Sequence, residues 1–359
     1  MKGTVLCATA AVAAAHSNLI YPKPRNAIDS DLPEWSGGKA PYLWQPHGDA
    51  PCACRNGTSG AACEVAQTCL WMSVGCSIGC DACDGGQDGE GGTNPNLKDR
   101  CPGVNPDRKT ATINNPLHRT FNRGAVAGSD ADWTRFNPWR APGSAPVFDP
   151  CGRAGGGPVP TGGHGEYTNT THASFGDMGS KVLPKYPSGA VWKAGATVET
   201  IWSVRANHGG GWQYRLCPLE QMPCTEAQFQ QLPMDFAADS KMLMSNGTML
   251  DLASTFVTDG TLPVGGTWQM LPIPMTRGVT PEGKWSKPSL QFPAPCYDPT
   301  PPESLGQGIC TGEWMTNITM YDYLAVPKVP AGEYVMSFRW DCESSAQVWQ
   351  SCADVTITD

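Results

Sequence analysis

Alternation of apolar and polar residues is the main regular pattern along this chain, and it predicts a protein built of β-strands. In one clear run Val198, Thr200, Trp202 and Val204 occupy every second position, so their side chains would share one face of a strand. The strands predicted in this way are Thr197–Val204, Trp212–Leu216, about Asp251–Val257, Gly266–Leu271, Tyr321–Val326, Glu333–Trp340 and Cys352–Ile357. Periodic helical segments are few, and we expect one short helix within Glu220–Phe236.

A long segment without a sustained period follows the first predicted strand, which would begin at His16 and leave the sheet by about Ala27. From about residue 35 to residue 150 the chain is rich in glycine, proline, asparagine and cysteine. We interpret this segment as an insertion tied by disulfides, because a loop of such length is usually functional or disordered and disulfides favour order. The predicted fold is therefore all-β, a single β-sandwich domain over residues 16–359 with long disulfide-tied loop insertions.

The start of the chain has the composition of a secretory signal peptide. Lys2 is followed by an apolar run from Val5 to Ala15 that ends in three alanines and is too short to span a membrane. Cleavage after Ala15 would remove residues 1–15 and leave His16 as the first residue of the mature protein. An N-terminal histidine offers its α-amine and its imidazole, two nitrogen donors that suit Cu(II). The alternative is that a histidine follows the cleavage site by chance.

Cysteine usage also predicts a secreted, extracellular protein. The chain has 16 cysteines, and many of them lie between Cys52 and Cys83. Their spacing would suggest zinc in the cytosol, but behind a signal peptide a disulfide framework is expected instead. A local pair such as Cys217–Cys224 fits this framework, although spacing does not determine connectivity. Loss of Cys7 with the signal peptide leaves an odd number, which predicts at least one thiol that is free or paired with another molecule.

Charge and short motifs narrow the range of partners. The net charge is −8, and it becomes −9 when Lys2 is removed, which disfavours nucleic acid and anionic membranes as partners. A neutral or basic polymer such as a glucan or chitin is compatible with this charge. No repeat, tail domain or anchoring segment is visible, and we expect a monomer. Sequons that agree with a eukaryotic glycoprotein begin at Asn56, Asn169, Asn246 and Asn317.

A second histidine lies between two predicted strands, beside a glycine-rich turn. His208 is followed by Gly209, Gly210 and Gly211, and glycines let the backbone approach another group closely. Taken alone, a histidine in this position would be a solvated loop residue. Whether His208 is a metal ligand therefore depends on whether His16 is one as well.

The C-terminal part adds a third motif, Gln347-Val348-Trp349 followed by Cys352-Ala353-Asp354. In chain order, His16, the segment from His208 to the Tyr-Arg-Leu-Cys-Pro sequence, and this ending resemble the lytic polysaccharide monooxygenases. These are copper enzymes that cleave polysaccharides by oxidation. The resemblance implies that His16, with its α-amine, and His208 bind copper. It places Trp349 on the axial side of the metal, where the family usually has tyrosine or phenylalanine, and gives Gln347 the role of orienting the oxygen species.

The resemblance also implies the reactants. An external electron donor would reduce Cu(II) to Cu(I), and hydrogen peroxide or dioxygen would be the co-substrate. Hydroxylation at C1 or C4 of a sugar would then break a glycosidic bond in a polymer such as cellulose or chitin. Together with the alternating strands, the resemblance implies an immunoglobulin-like or fibronectin-like β-sandwich.

Three other functions remain open at this point. One is a secreted, non-catalytic copper-binding protein with the same histidine brace. Another is a secreted structural or wall glycoprotein in which the position of His16 is accidental. A glycoside hydrolase would need two carboxylates, and Glu166, Asp341 and Glu343 are candidates that no spacing singles out.

Overall fold

The computed structural model describes residues 16–31, 71–74, 143, 147–157, 167, 169–206, 210–243, 249–258, 261–271, 318–342 and 347–359. The predicted signal peptide (residues 1–15), most of the cysteine-rich insertion and His208 lie outside the described residues. So does the side chain of His16, of which only the backbone is described.

Most of the described chain forms β-strands. The strands are β1 (His16–Tyr21), β2 (Trp71–Val74), β3 (Arg153–Ala154), β4 (Ala190–Lys193), β5 (Thr197–Ala206), β6 (Gly211–Pro218), β7 (Pro233–Leu243), β8 (Met249–Asp251), β9 (Thr255–Val257), β10 (Trp268–Met270), β11 (Ile318–Ala325), β12 (Gly332–Asp341) and β13 (Gln347–Thr358). The helices are α1 (Gly179–Val182) and α2 (Glu226–Phe229), with 3-10 turns at Arg25–Asp31 and Leu219–Gln221. No helix in this part of the chain is long and apolar enough to cross a membrane.

The strands form one curled sheet with the order β1-β5-β11-β7-β6-β12-β13-β2-β3. Strand β7 connects its two halves, because Met234 pairs with Tyr214 of β6 while Met242 pairs with Met320 of β11. The half that contains β1, β5 and β11 therefore faces the half that contains β6, β12 and β13. This arrangement confirms the predicted all-β sandwich.

Aromatic side chains fill the space between the two layers. Trp202 of β5 packs against Trp212, Phe338 and Trp340 of the opposite layer, with ring centroids 4.9, 5.0 and 5.7 Å apart. All four side chains are fully buried. Such ring pairs add about 0.5–1.5 kcal/mol each to the stability gained from burial alone. Trp202, Trp212 and Trp340 thus belong to the central core of the sandwich.

The short helix predicted within Glu220–Phe236 is α2, and the last residues of that range belong to β7. Thr225 begins the helix with a capping box, in which its hydroxyl accepts from the Gln228 backbone N–H and the Gln228 side chain accepts from the Thr225 N–H. Pro233 then begins β7. Proline lacks an N–H and disfavours helical geometry in the preceding residue, so the helix cannot continue through it.

Two disulfides lie among the described residues. Cys217 pairs with Cys224, as the sequence suggested. Cys151 pairs with Cys352 of β13, across a sequence separation of 201 residues. The second bridge fastens the end of the cysteine-rich segment to the strand that carries Gln347 and Trp349.

Candidate functional site

The first residue of β1 lies beside the chain that leads to His208. The backbone of His16 is paired with Ala206, the last residue of β5. His208 is two residues farther along the chain, a separation of at most about 7 Å. The ladder therefore places the backbone of His16 beside the last residue of the strand that precedes His208 in the sequence.

A close backbone contact marks the point where the chain returns as β6. Gly210 has a φ of 85°, a conformation that glycine adopts without strain. A Cβ atom on Gly211 would lie 2.9 Å from the Met270 sulfur and 3.0 Å from the Gln269 carbonyl oxygen. Any side chain at Gly211 would therefore disturb the start of β6, which agrees with the close backbone approach expected from the glycine-rich motif.

Gln347 and Trp349 begin β13 at the same end of the sandwich. Trp349 pairs with Trp340 of β12 on one side and with Met72 of β2 on the other. Both predicted site residues are fully buried. Because side chains two residues apart on a strand share a face, Gln347 points to the same side of the sheet as Trp349, which belongs to the central core.

A hydrogen bond joins β1 directly to β13. The Ser351 hydroxyl donates to the Asn18 side-chain oxygen at 2.6 Å, and Asn26 Nδ2 donates to the same oxygen at 3.0 Å. His16 precedes Asn18 by two residues and Trp349 precedes Ser351 by two residues. Since six successive antiparallel pairings separate β1 from β13 in the sheet, the two strands run in the same sense. His16 and Trp349 therefore lie toward the same end of the molecule.

A buried ion pair fastens the exit of β1 to the same strand. The guanidinium of Arg25 donates to both carboxylate oxygens of Asp354, from Nε at 2.9 Å and from an Nη at 2.6 Å. Only 4% of each side chain is exposed. The Tyr186 backbone N–H donates to the same carboxylate at 2.8 Å. A bidentate pair with an additional donor is a strong and directional contact, so the segment after β1 has a fixed place on β13.

The outer face of the β6–β12 layer holds a network of charged side chains. Glu226 accepts from Arg215 at 2.5 Å and from Arg339 at 2.8 Å, and both guanidinium groups are fully buried. Burial acts to raise the pKa of Glu226, but the two arginines outweigh it and lower this pKa to about 2. The network is ionised at neutral pH and holds α2 against the sheet.

Asp341, one of the candidate hydrolase carboxylates, belongs to this network. It accepts from Arg339 Nε at 2.7 Å and from the Gly143 backbone N–H at 3.0 Å. Its contacts are those of a structural ion pair. The other two candidates, Glu166 and Glu343, lie outside the described residues.

The sequence reasoning missed a buried carboxylate at the centre of the sandwich. Asp322 Oδ2 accepts from Trp202 Nε1 at 3.1 Å, and from Trp212 Nε1 and the Tyr214 hydroxyl at 2.7 Å each. Its other oxygen accepts from Ser240 at 2.5 Å. Burial raises the pKa of Asp322 to about 6 although these donors favour the charged form. The signal available in the sequence was an acidic residue at an inward position of an alternating strand.

Trp71 of β2 lies in the protein interior: it is 1% exposed and packs edge-on against Tyr167, with ring centroids 5.7 Å apart. Asn169 of the second sequon is exposed. Among the residues whose side chains are described, no group of three histidine, cysteine, aspartate or glutamate side chains is close enough to hold a metal ion.

The sequence matches no protein-family model and no curated protein. Among solved structures, the chain is similar to the lytic polysaccharide monooxygenase AA15 from Thermobia domestica, with 14% identity, 47% of this chain and 62% of that chain covered, and a TM-score of 0.24. For the AA10 lytic polysaccharide monooxygenase from Streptomyces lividans the values are 13%, 49%, 60% and 0.20. For the Bacillus amyloliquefaciens CBM33 in complex with Cu(I) they are 12%, 50%, 58% and 0.22.

The chain thus spans between 58% and 62% of the length of these three proteins.

Proposed function

We propose that the mature protein is a secreted, copper-dependent monooxygenase that cleaves glycosidic bonds in a polysaccharide such as cellulose or chitin by hydroxylating C1 or C4. The observation that carries this proposal is the pairing of His16 with Ala206, two residues before His208. This pairing supports the proposal because it sets the backbone of His16 beside the strand that precedes His208 in the sequence. The start of β13, with Gln347 and Trp349, lies toward the same end of the sandwich as His16.

The donor set fits copper. The α-amine and imidazole of His16 and the imidazole of His208 are three nitrogen ligands, which serve both Cu(II) and Cu(I). His16 is the first residue of strand β1, and sites built on strands are held more rigidly than sites within long loops. When bound, copper would supply one-electron redox chemistry toward hydrogen peroxide or dioxygen, with the reducing electron coming from an external donor.

Two buried side chains of β13 would shape the site: one would exclude water, and the other would orient an oxygen species. Trp349 is fully buried, and its strand lies between the strands of Trp340 and Met72. Its ring would therefore exclude water from the inner side of the site. Gln347 lies on the same face of β13, two residues before Trp349, and is the first residue of the strand. Its amide would orient an oxygen species by hydrogen bonding, the role that the family resemblance gives it.

The direct test is product analysis. Protein that begins at His16 is loaded with copper and incubated with ascorbate, peroxide and cellulose, chitin, xylan or starch, and soluble products are analysed by mass spectrometry. His208→Ala removes one proposed ligand. The matched control is His172→Ala, since the partly exposed His172 lies in a surface turn that carries none of the three motifs.

We expect oxidised oligosaccharides from the parent protein and from His172→Ala, and none from His208→Ala. Tight copper binding without products from any polymer would instead favour the non-catalytic copper-binding protein. Oxidised products that persist in His208→Ala would contradict the assignment of the metal ligands.

A further inference from the structure

Strand β1 is held by a ladder on one side only. It pairs with β5, and within the described residues no strand pairs with its other edge. The ladder is also irregular at its start, because a register shift separates His16 from Ser17. The β5 ladder alone therefore leaves the first residue of the strand weakly fixed.

Side chains from β13 and from the turn after β1 provide a second anchor. Asn18, Asn26 and Ser351 are each only 1% exposed. The Asn18 side-chain oxygen has two lone pairs, and the donors from Ser351 and Asn26 fill both of them. A buried donor left without its acceptor costs more free energy than an ordinary hydrogen bond returns. This contact consequently favours one alignment of β1 over any shifted one, since a slip of one residue would turn Asn18 to the opposite face.

The anchor is close to the proposed copper site on both strands. His16 is two residues from Asn18 and Trp349 is two residues from Ser351, a distance of about 7 Å along each strand. The Arg25–Asp354 ion pair also joins this segment to β13, but it lies at the far end of β1. Loss of the Ser351 hydroxyl should thus leave the strand attached while freeing its first residues.

We propose that the Ser351–Asn18 hydrogen bond sets the position of the His16 α-amine relative to Gln347 and Trp349, which makes Asn18 and Ser351 positioning residues for the copper site. This inference rests on the proposed function. Neither side chain would contact the metal or the substrate. They would act by holding β1 in one alignment, so that the amine is placed before copper binds.

The test separates this role from a general contribution to folding. Ser351→Val and Ser351→Thr have nearly the same shape but differ by the hydroxyl, so the pair isolates the hydrogen bond. Ser240→Ala is the control for losing a buried hydroxyl elsewhere, because Ser240 donates to Asp322 in the core. Each variant begins at His16, and three quantities are measured: the Cu(II) dissociation constant, amide hydrogen exchange over β1, and the free energy of unfolding.

We expect Ser351→Val to bind Cu(II) about tenfold to a hundredfold more weakly, as when other supporting partners of metal ligands are removed. Exchange over Ser17–Ile20 should become faster. Ser351→Thr should retain the parent affinity. Ser240→Ala should lower the free energy of unfolding while leaving the Cu(II) dissociation constant unchanged.

Two results would overturn the inference. One is equal Cu(II) affinity in the valine and threonine variants while the parent protein binds tightly, which leaves the proposed function intact. The other is unchanged exchange over β1 in Ser351→Val. If the parent protein itself binds no copper, the proposed function fails, and the exchange data still decide whether the hydrogen bond aligns β1.

Discussion

Trp349 of β13 lies directly opposite Met72 of β2, and both side chains are fully buried. Met72 comes from the cysteine-rich segment, so this segment completes the sheet next to the candidate site. Gly156 makes room for it, because a Cβ atom there would lie 2.6 Å from the Met72 methyl carbon, and its φ of 87° favours glycine. The surroundings of Trp349 thus depend on a segment that no motif in the sequence connected with it.

Removing the Met72 side chain should loosen Trp349. We expect Met72→Ala to lower the free energy of unfolding by about 2–5 kcal/mol, through lost burial and the cavity that remains. Met72→Leu, which nearly conserves volume, should cost less than about 1.5 kcal/mol. Denaturant unfolding and the near-ultraviolet circular dichroism of tryptophan measure both effects. Equal losses in the two variants would mean that Met72 does not support the ring by packing.

Asp322 should make stability fall as the pH rises through the weakly acidic range. Its pKa rises from 3.8 to about 6 on folding, so the native state holds the proton more tightly than the unfolded state does. The stabilisation is complete below pH 4 and disappears between pH 4 and 6, a change of roughly 3 kcal/mol. In Asp322→Asn this contribution is absent.

The check is the free energy of unfolding of both proteins from pH 4 to pH 7. The difference between the variant and the parent protein should change over this range, with the parent losing more. Parallel profiles would show that Asp322 titrates alike in the folded and unfolded chains.

The contribution of Glu226 to stability should have the opposite pH dependence. Its pKa falls from 4.5 to about 2 on folding, so its stabilisation is present above pH 4.5 and is lost as the pH falls toward 2. At pH 7, Glu226→Gln leaves two buried guanidinium groups with less compensation, and we expect a loss of about 3 kcal/mol. The loss should shrink toward pH 2.

The control for Glu226 is the exposed pair of Lys185 and Glu333, whose side chains are 50% and 42% exposed. Water screens such a pair, so Glu333→Gln should change stability little. A loss in Glu333→Gln as large as that in Glu226→Gln would contradict the role assigned to burial.

The two disulfides should contribute differently to the free energy of unfolding. In the chain-entropy account a bridge stabilises more when it closes a longer loop, and the separations are 201 residues for Cys151–Cys352 and 7 residues for Cys217–Cys224. Replacing both cysteines by alanine should cost about 5 kcal/mol for the first pair and about 2 kcal/mol for the second. Denaturant unfolding of the two double variants measures this order, and the reverse order would contradict it.

Local patterns predicted the strands that carry regular alternation. The run from Val198 to Val204 lies within β5, and Glu333–Trp340 lies within β12. Strand β7 was not predicted, because its outward positions are polar and its beginning follows a helix. Strand β2 has four residues, and such a short strand is specified by the edge of β13 on which it lies rather than by its own sequence.

The candidate ligands could be chosen from sequence because their motifs are local, but the contacts that arrange them could not. Ser351 and Asn18 are separated by 333 residues. Neither is unusual for its strand, and only folding brings them together. The same holds for Asp322, whose four donors come from three different strands.

The most direct test of the copper site is a Cu(II) titration followed by electron paramagnetic resonance. It compares protein that begins at His16 with His208→Ala and with protein that carries one extra residue before His16. The account predicts one tightly bound Cu(II) with nitrogen ligation in the first protein and loss of that site in the other two. Tight binding that survives either the added residue or the loss of His208 would contradict it.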